Sequence, residues 1–367
     1  MLKMRLALLR ARLREKGLDG LLVSLPANRR YLSGYAPDDA QWGESSGWLF
    51  ISAYEAVLLT DFRYELTARA QAPLYRVAVH RRGLVNELKP LLEASRVRRL
   101  GFEPEAMLVE HYERLARELG PAVELVPVHN LTGPLRALKD KQELRYIKDS
   151  LGLMEQVLRE VISDGVVGKT ERELALSIVR AVEDAGAEGP AFAPIVASGP
   201  NGAEPHAEPG DRVIAAGEPV IFDVGARLAG YCSDISRTVV AGGLAEADDR
   251  FREVYATVRK AQLKAIAEIK PGLSGARADA LGREVIAEAG YGKHFGHSLG
   301  HGVGLATHEA PSVGPNSSEV LRPGMVITVE PGIYLEGWGG VRLEEMVVIT
   351  ETGCQLLNKL DDFYELP

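Results

Sequence analysis

Acidic residues stand inside apolar segments of the second half of the chain, where a carboxylate is unexpected. Asp223 lies in VIFDVGA, Asp234 in GYCSDISRT, Glu330 in VITVEPG and Glu344 in GGVRLEEMVVI, and His301 adds an imidazole in GHSLGHGVG. Burying an ionised carboxylate is costly unless it is paired or binds a metal, and these segments carry no matching set of lysines or arginines. Each acid alone is better explained as a hydrogen-bonded strand end, but the five residues together predict a divalent-metal site.

The types of donor indicate which metal this site would hold. Four carboxylates and one imidazole form a hard, oxygen-rich set, unlike the thiolates of structural zinc sites. Two divalent ions roughly 3.5–4 Å apart share a hydroxide and polarise a carbonyl group. The expected cofactor is therefore a pair of divalent ions, manganese in the first place and cobalt or zinc as alternatives.

The composition excludes several other classes of protein. The chain has 367 residues, 46% hydrophobic and 26% charged, which is typical of a globular protein with room for two domains. A formal charge of −8 argues against a nucleic-acid surface. Two cysteines are too few for a disulfide framework, and arginines interrupt the leucines of the first residues. We therefore expect no signal peptide, no membrane partner and a cytoplasmic location.

The alternation of helices and strands predicts two domains. Residues 1–131 mix both, as in an α/β domain, and Thr132-Gly133-Pro134 breaks the pattern before a second domain at 132–367. The strands predicted in the first domain are Gly20–Ser24, Trp48–Ser52, Ala56–Thr60, Tyr75–His80, Arg99–Phe102 and Val123–Val128, with a turn at Pro26–Asn28 and helices at Met1–Lys16, Tyr64–Gln71, Leu84–Ser95 and Glu105–Leu119. The helices predicted in the second domain span about 141–162, 170–186, 248–269 and 274–289.

Five motifs in order resemble the proline-specific peptidases of the pita-bread metallopeptidase family, aminopeptidase P and Xaa-Pro dipeptidase (prolidase). They are IVASGPNGAEPHAEPGD, FDVGARLAGYCSDISRTVV, GHSLGHGVGLATHEAP, MVITVEPGIYL and GGVRLEEMVVIT, with NRRYLSGY and LLTDFRY adding to the likeness in the first domain. The resemblance implies a pita-bread catalytic domain of the α+β type after a smaller mixed α/β domain. It also implies removal of the residue that precedes a proline at the N-terminus of a short peptide.

The resemblance gives each motif residue a role. The implied metal ligands are Asp223, Asp234, His301, Glu330 and Glu344, and Glu330 would also be the general base toward a metal-bridging hydroxide. His206 and His308 would contact the substrate carbonyl, and His297, Tyr334 and Arg342 would shape and support the proline site. Tyr231 would bind substrate close to the metals. The chemistry suits these groups, because an Xaa-Pro amide lacks an N–H and its departing nitrogen needs a proton donor.

Ser312 bears on the choice between the two activities of this family. A dipeptidase must hold the proline carboxylate, commonly with an arginine soon after the last motif histidine, and this stretch reads THEAPSVGP. The departure favours an aminopeptidase that accepts tripeptides and longer peptides, with a dipeptidase as the alternative. Arg342 is one possible substitute for the arginine. Arg63 or the Arg29–Arg30 pair is another, reaching a neighbouring subunit in an expected homodimer.

Other classes compete with this interpretation. Gly296–Gly300 matches a serine nucleophile elbow, but no acid lies between Ser298 and the last histidine, His308. Gly300–Gly304 resembles a phosphate loop but lacks its Lys-Ser/Thr pair. A pita-bread fold also serves in non-catalytic binding modules, in which we expect several of the acidic ligand positions to be lost. Methionine aminopeptidase shares the catalytic fold but usually lacks a first domain of this size.

Overall fold

The computed structural model describes residues 1–39, 43–81, 83–359 and 361–364, and the chain divides into the compact units Met1–Arg136 and Ala137–Pro367. The predicted boundary after residue 131 lies before a short helix that belongs to the first unit. Within that unit the Arg136 guanidinium donates to the Asn28 side chain at 2.9 Å, and the Tyr31 hydroxyl donates to the Leu135 carbonyl at 3.1 Å. These contacts extend the first unit to Arg136.

A mixed sheet with helices forms the first unit. Its elements are α1 (Leu2–Glu15), β1 (Gly20–Val23), α2 (Pro26–Ser33), β2 (Trp48–Ser52), β3 (Ala56–Thr60), α3 (Glu65–Gln71), β4 (Arg76–Val79), α4 (Leu84–Ala94), β5 (Arg99–Phe102), α5 (Val109–Leu119), β6 (Glu124–Pro127) and α6 (Gly133–Arg136). The strand order among the described residues is β4-β3-β2-β1-β5-β6. The pairs β1–β2 and β2–β3 are antiparallel and the others parallel, which confirms the predicted mixed α/β character.

The predicted turn at Pro26–Asn28 is wrong, because these residues begin helix α2. Proline at the first helical position loses no hydrogen bond, since the N–H groups of a first turn have no partner within the helix. Gly34 ends the helix in the left-handed region at φ 84°. The predicted helix Glu105–Leu119 is shorter than expected, because Leu108 adopts an extended conformation before α5.

The second unit combines helices with several small antiparallel sheets. Its elements are α7 (Lys141–Ser163), α8 (Glu171–Asp184), β7 (Gly189–Pro190), β8 (Ile195–Ser198), β9 (Pro219–Val224), β10 (Ala226–Leu228), β11 (Tyr231–Cys232), β12 (Ile235–Val240), α9 (Asp249–Glu268), α10 (Gly275–Glu288), β13 (Gly300–Gly302), β14 (Glu309–Val313), β15 (Val326–Val329), β16 (Gly332–Leu335), β17 (Gly339–Arg342), β18 (Glu345–Ile349) and β19 (Cys354–Leu356). The sheets among the described residues are β12-β9-β8, β11-β10-β7, β14-β13-β15-β18-β19 and β16-β17.

Local sequence explains where the long helices of this unit begin. Asp140 accepts hydrogen bonds from the first turn of α7, and Glu143 bonds back to the Asp140 N–H, which completes a capping box. Asp248 caps α9 in a similar way through the N–H of Phe251. The apolar face of α9 packs with α10 and with strand β15 in one buried core. Helices therefore back the sheets that carry the motif residues. Among the described residues, every helix is too short or too polar to span a bilayer.

Candidate functional site

One cavity of about 520 Å³ in the second unit collects most of the motif side chains. The residues that line it come from strands and loops scattered over the unit: Phe192, Ala193, Ile195, Pro205, His206, Asp223, Asp234, His297, Ser298, Gly300, His301, Thr307, His308, Ser312, Glu330, Arg342 and Glu344. Every predicted metal ligand and every motif histidine is in this lining. Tyr334 and Tyr231 are not among these residues.

A candidate metal site lies within this cavity at Asp234, His301 and Glu344. Each offers one donor atom, and these atoms lie within 4.8 Å of one another. Asp234 stands just before β12, His301 in the middle of β13, and Glu344 just before β18. Three strands from separate parts of the sequence therefore bring two carboxylates and one imidazole to one point.

The other two predicted ligands lie beside this group. Glu330 follows β15 directly, and its Oε1 atom is 3.3 Å from Nε2 of His301. Asp223 lies on β9, where its Oδ2 atom accepts a hydrogen bond of 2.6 Å from Arg342. An ion pair with Arg342 thus orients Asp223, which is not one of the three donors that lie within 4.8 Å of one another.

The glycines on either side of His301 allow the backbone to approach its neighbours. A Cβ added at Gly300 would overlap the carbonyl oxygen of Thr328, and one added at Gly302 would overlap the carbonyl of Ala310. Strand β13 can therefore lie between β14 and β15 only with glycine at both positions. This close packing of strands accounts for the two glycines without a phosphate-binding role.

The charges and the unpaired atoms of the cavity fit divalent cations. Four carboxyl groups line it with Arg342 as the one lysine or arginine in that lining, so three carboxyl groups have no such partner there. Among the described residues, Asp223 Oδ1 and Glu344 Oε1 are buried without a hydrogen-bond partner, which is costly for a carboxylate. Both cysteines, Cys232 and Cys354, are free thiols and neither lines the cavity. The donors present are those of an oxygen-rich metal site.

Burial shifts the protonation of the candidate ligands. It raises the pKa of Asp234 and of Glu344 well above the usual carboxyl range, and the neighbouring carboxylates add to the effect. It also raises the pKa of Glu330 to about 8, against the opposing influence of Arg342. Desolvation lowers the pKa of His301 to about 4, so this imidazole is neutral at pH 7 and free to bind a metal.

Arg342 connects the candidate metal ligands to Tyr334. It lies on β17 with its guanidinium 2% exposed. Its Nε donates to the Ser236 hydroxyl at 2.9 Å, and that hydroxyl in turn donates to Glu344 at 2.9 Å. Another of its nitrogens donates to the Tyr334 hydroxyl at 2.8 Å. One buried cation therefore orients Asp223, Glu344 and Tyr334 together.

His297 continues this network on the other side of Tyr334. Its Nε2 is 2.8 Å from the Tyr334 hydroxyl, and its Nδ1 is 2.8 Å from the Ser298 carbonyl. A carbonyl only accepts, so Nδ1 carries the proton, and the Tyr334 hydroxyl, which accepts from Arg342, donates to Nε2. Burial lowers the pKa of His297 to about 4, which agrees with this neutral tautomer.

Of the remaining predicted site residues, His308 and His206 line the cavity and Tyr231 does not. His308 precedes β14, and its ring centroid is 4.2 Å from that of His301. Burial lowers the pKa of His308. His206 lines the same cavity from the loop before β9. Tyr231 instead donates its hydroxyl to Glu143 at 2.9 Å, so its predicted contact with substrate stays a prediction.

Two residues that support the ligands were not identified from the sequence. The Thr328 hydroxyl donates to Glu330 at 3.2 Å and accepts from the His301 N–H at 3.1 Å. Ser236 bridges Arg342 and Glu344 as described above. Each lies two positions from a ligand, Thr328 before Glu330 and Ser236 after Asp234. That spacing places a side chain on the same face of a strand, and it is the signal that could have identified both.

A second, polar cavity of about 660 Å³ adjoins the first and shares His297, Ser298 and Ser312 with it. The rest of its lining comes from Gly296 and from the loop Gly314–Glu319. The Ser312 N–H donates to Glu319 at 2.6 Å, and the Ser312 carbonyl accepts from Ser317 at 2.7 Å. None of the described lining residues of this second cavity is a lysine or an arginine.

Comparison with known proteins gives one consistent result. Residues 145–351 match the model of metallopeptidase family M24, and residues 5–138 match the Creatinase/Prolidase N-terminal domain. The chain is 35% identical to an Xaa-Pro dipeptidase of Pyrococcus furiosus over 95% of both sequences. The structure resembles an Xaa-Pro dipeptidase from Bacillus anthracis with a TM-score of 0.91 and 36% identity, covering 98% of each chain. It also resembles an X-Pro aminopeptidase from Thermotoga maritima with a TM-score of 0.85 and 34% identity, covering 95% of this chain and 98% of the other.

Proposed function

Because the chain belongs to metallopeptidase family M24, we propose that it hydrolyses Xaa-Pro bonds, with Xaa-Pro dipeptides as its main substrates. The observation that carries this proposal is the convergence of Asp234, His301 and Glu344, with Asp223 and Glu330 beside them, in one cavity. The names of the relatives favour the dipeptidase alternative over the aminopeptidase that Ser312 led us to expect.

The proposed cofactor is a pair of divalent ions, manganese first, held by Asp223, Asp234, His301, Glu330 and Glu344. When bound, the ions supply the Lewis acidity that activates water and polarises the scissile carbonyl. The chain's own residues do the rest. Glu330 accepts the proton of the attacking water and returns it to the proline nitrogen as the C–N bond breaks, and Thr328 orients its carboxylate. His308 and His206 border the cavity and donate to the carbonyl oxygen as negative charge develops on it.

The proposed proline site lies where His297 meets the Tyr334–Arg342 pair. Desolvated rings pack well against the apolar proline ring, and Phe192 and Ile195 also line this cavity. The partners we propose are therefore short peptides with proline in the second position. A homodimer, with Arg63 reaching the neighbouring subunit, stays a prediction; Arg63 here pairs with Asp61 at 2.8 Å and is 51% exposed. Arg29, the other candidate with Arg30, is fully buried and pairs with Asp39, so it does not face a neighbouring subunit.

The activity is tested by hydrolysis of Ala-Pro, Ala-Pro-Ala and Ala-Ala-Ala after chelation, with and without added manganese. We expect cleavage of Ala-Pro that depends on the metal, slower cleavage of Ala-Pro-Ala and none of Ala-Ala-Ala. Cobalt and zinc added at the same concentrations compare the candidate metals. Cleavage of Ala-Ala-Ala as fast as Ala-Pro would overturn the proline specificity, and no cleavage with any metal would favour a non-catalytic binding module.

An Xaa-Pro aminopeptidase is the second candidate, and the polar second cavity favours it. A dipeptide ends in a carboxylate beside the proline, and its binding gains most from a cation. Arg342 already bonds Asp223, Ser236 and Tyr334, and the adjoining cavity contains the Glu319 carboxylate but no cation among its described lining residues. That cavity suits a peptide chain that continues past the proline.

We expect Ser312→Arg to lower KM for Ala-Pro by about tenfold and to leave or raise KM for Ala-Pro-Ala, since a hydrogen bond to a charged group contributes about 1.5–3 kcal/mol. Ser312 is exposed on the rim that both cavities share, where a guanidinium can reach the dipeptide carboxylate. Ser318→Arg is the matched control, because Ser318 lines the second cavity and not the first. Equal changes for both peptides would show that the carboxylate binds elsewhere.

A further inference from the structure

An ion pair on helix α10, between a buried aspartate and an arginine that is 26% exposed, holds the loop that carries His297. Asp279 is 1% exposed, and its two carboxylate oxygens accept hydrogen bonds from Arg283 at 2.6 and 2.8 Å. We infer that Asp279 and Arg283 are positioning residues for His297 and therefore for the substrate side of the cavity. The catalytic part of this inference rests on the proposed function, whereas the structural part does not.

The pair contacts the loop before β13 at three alternate residues. Arg283 donates to the Phe295 carbonyl at 2.8 Å and to the His297 carbonyl at 2.6 Å. Asp279 accepts from the Leu299 N–H at 2.9 Å. The backbone is thus held on both sides of His297 and at His297 itself. An ion pair that served the helix alone would have no need of these loop contacts.

Packing reinforces the same arrangement. The Arg283 guanidinium lies 4.2 Å from the centroid of the Phe295 ring, within the range of a cation–π contact. The Phe295 ring in turn meets the His297 ring edge-on, with centroids 5.0 Å apart. Gly282 is next to Arg283 on α10, and a Cβ there would come within 2.7 Å of the Leu299 side chain. Helix and loop are therefore in close contact along the whole segment.

The consequence reaches the cavity through His297. The hydrogen bond from Tyr334 to Nε2 of His297 needs the ring at a fixed place and in a fixed tautomer. The ring keeps that tautomer only while Nδ1 faces the Ser298 carbonyl. The position of this carbonyl depends on the loop backbone that Asp279 and Arg283 hold. Loss of the Arg283 contacts frees the loop, and a displacement of about 1 Å in a residue that positions substrate can cost about 100-fold in kcat/KM.

Arg283→Lys is the principal variant, because it keeps the charge beside buried Asp279 but has only three donors, without the planar geometry, for the four hydrogen bonds that Arg283 makes. Arg283→Gln and Asp279→Asn remove one partner each. Arg277→Gln, at an exposed position of the same helix, is the matched control. The measurements are amide hydrogen exchange over residues 294–301, the KM for Ala-Pro, competitive inhibition by proline, manganese affinity and the midpoint of thermal unfolding.

For Arg283→Lys we expect faster exchange confined to residues 294–301, about 10–100-fold higher KM and a similar weakening of proline inhibition. Manganese affinity and the control variant should stay as in the wild type. Unchanged exchange in that segment would refute the inference that Asp279 and Arg283 hold the loop. Faster exchange with wild-type KM and proline inhibition would refute the positioning role. A wild-type protein that cleaves no proline peptide would refute the proposed function. The exchange experiment would still show whether Asp279 and Arg283 hold the loop.

Discussion

Replacing Glu330 with glutamine is expected to lower kcat for Ala-Pro by about 10²–10⁴-fold, the range typical of a lost general base. Glutamine has nearly the same shape and still accepts the Thr328 hydrogen bond, but it cannot take the proton of the attacking water. Turnover should therefore fall far more than stability does.

The kinetic comparison needs a metal measurement beside it. Glu330 is also a proposed ligand, so manganese content and affinity of Glu330→Gln must be determined on the same samples. Glu336→Gln, an exposed acid on the turn after β16, is the control for a change of charge. A Glu330→Gln enzyme with a kcat within tenfold of the wild type would contradict the assignment of the base. A variant that has lost its metal altogether would show Glu330 chiefly as a ligand.

Replacing Arg342 with methionine is expected to lower the free energy of unfolding by about 3–5 kcal/mol, the usual cost of leaving one partner of a buried ion pair alone. Arg342 is 2% exposed and donates to Asp223, Ser236, Tyr334 and the Pro205 carbonyl. Methionine fills part of the volume but leaves these acceptors without a donor. Activity should also be lost, because Asp223 and Glu344 depend on this network for their orientation.

The loss is measured by denaturant unfolding in the presence of a chelator, so that metal binding does not mask it. Arg342→Lys should lower the free energy of unfolding less than Arg342→Met, because lysine keeps the positive charge. Some loss should remain, because lysine lacks the planar set of donors. Asp223→Asn combined with Arg342→Met should cost less than the two single changes added together, because the partners share one interaction. A loss below about 1 kcal/mol for Arg342→Met would mean that the ion pair contributes little to stability.

Much of the local structure could be predicted from the sequence. The strands Trp48–Ser52, Ala56–Thr60 and Arg99–Phe102 have the predicted bounds, because their β-branched and apolar residues lie between clear turn signals. Helix α9 follows its apolar period of three and four residues, and Asp248 marks its start. Pro26–Asn28 was the main error: Pro-Ala-Asn is equally compatible with a turn and with the first turn of a helix.

The candidate ligands could also be recognised from the sequence, because a carboxylate within an apolar strand is anomalous without reference to any other part of the chain. Their grouping could not. Arg342 pairs with Asp223 across 119 positions, and Ser236 bonds Glu344 across 108. No local period encodes such pairs, since they depend on the register of separate strands.

The same division applies to the support around the site. Asp279 and Arg283 are four residues apart, so their pairing on a helix can be predicted from the sequence. Their hydrogen bonds to the backbone of Phe295, His297 and Leu299 cannot. The sequence by itself determined the class of chemistry, because residue type and local burial decide which groups can bind metal. The tertiary structure decided which of these groups meet and what holds them, because each contact requires distant segments to pack in one register.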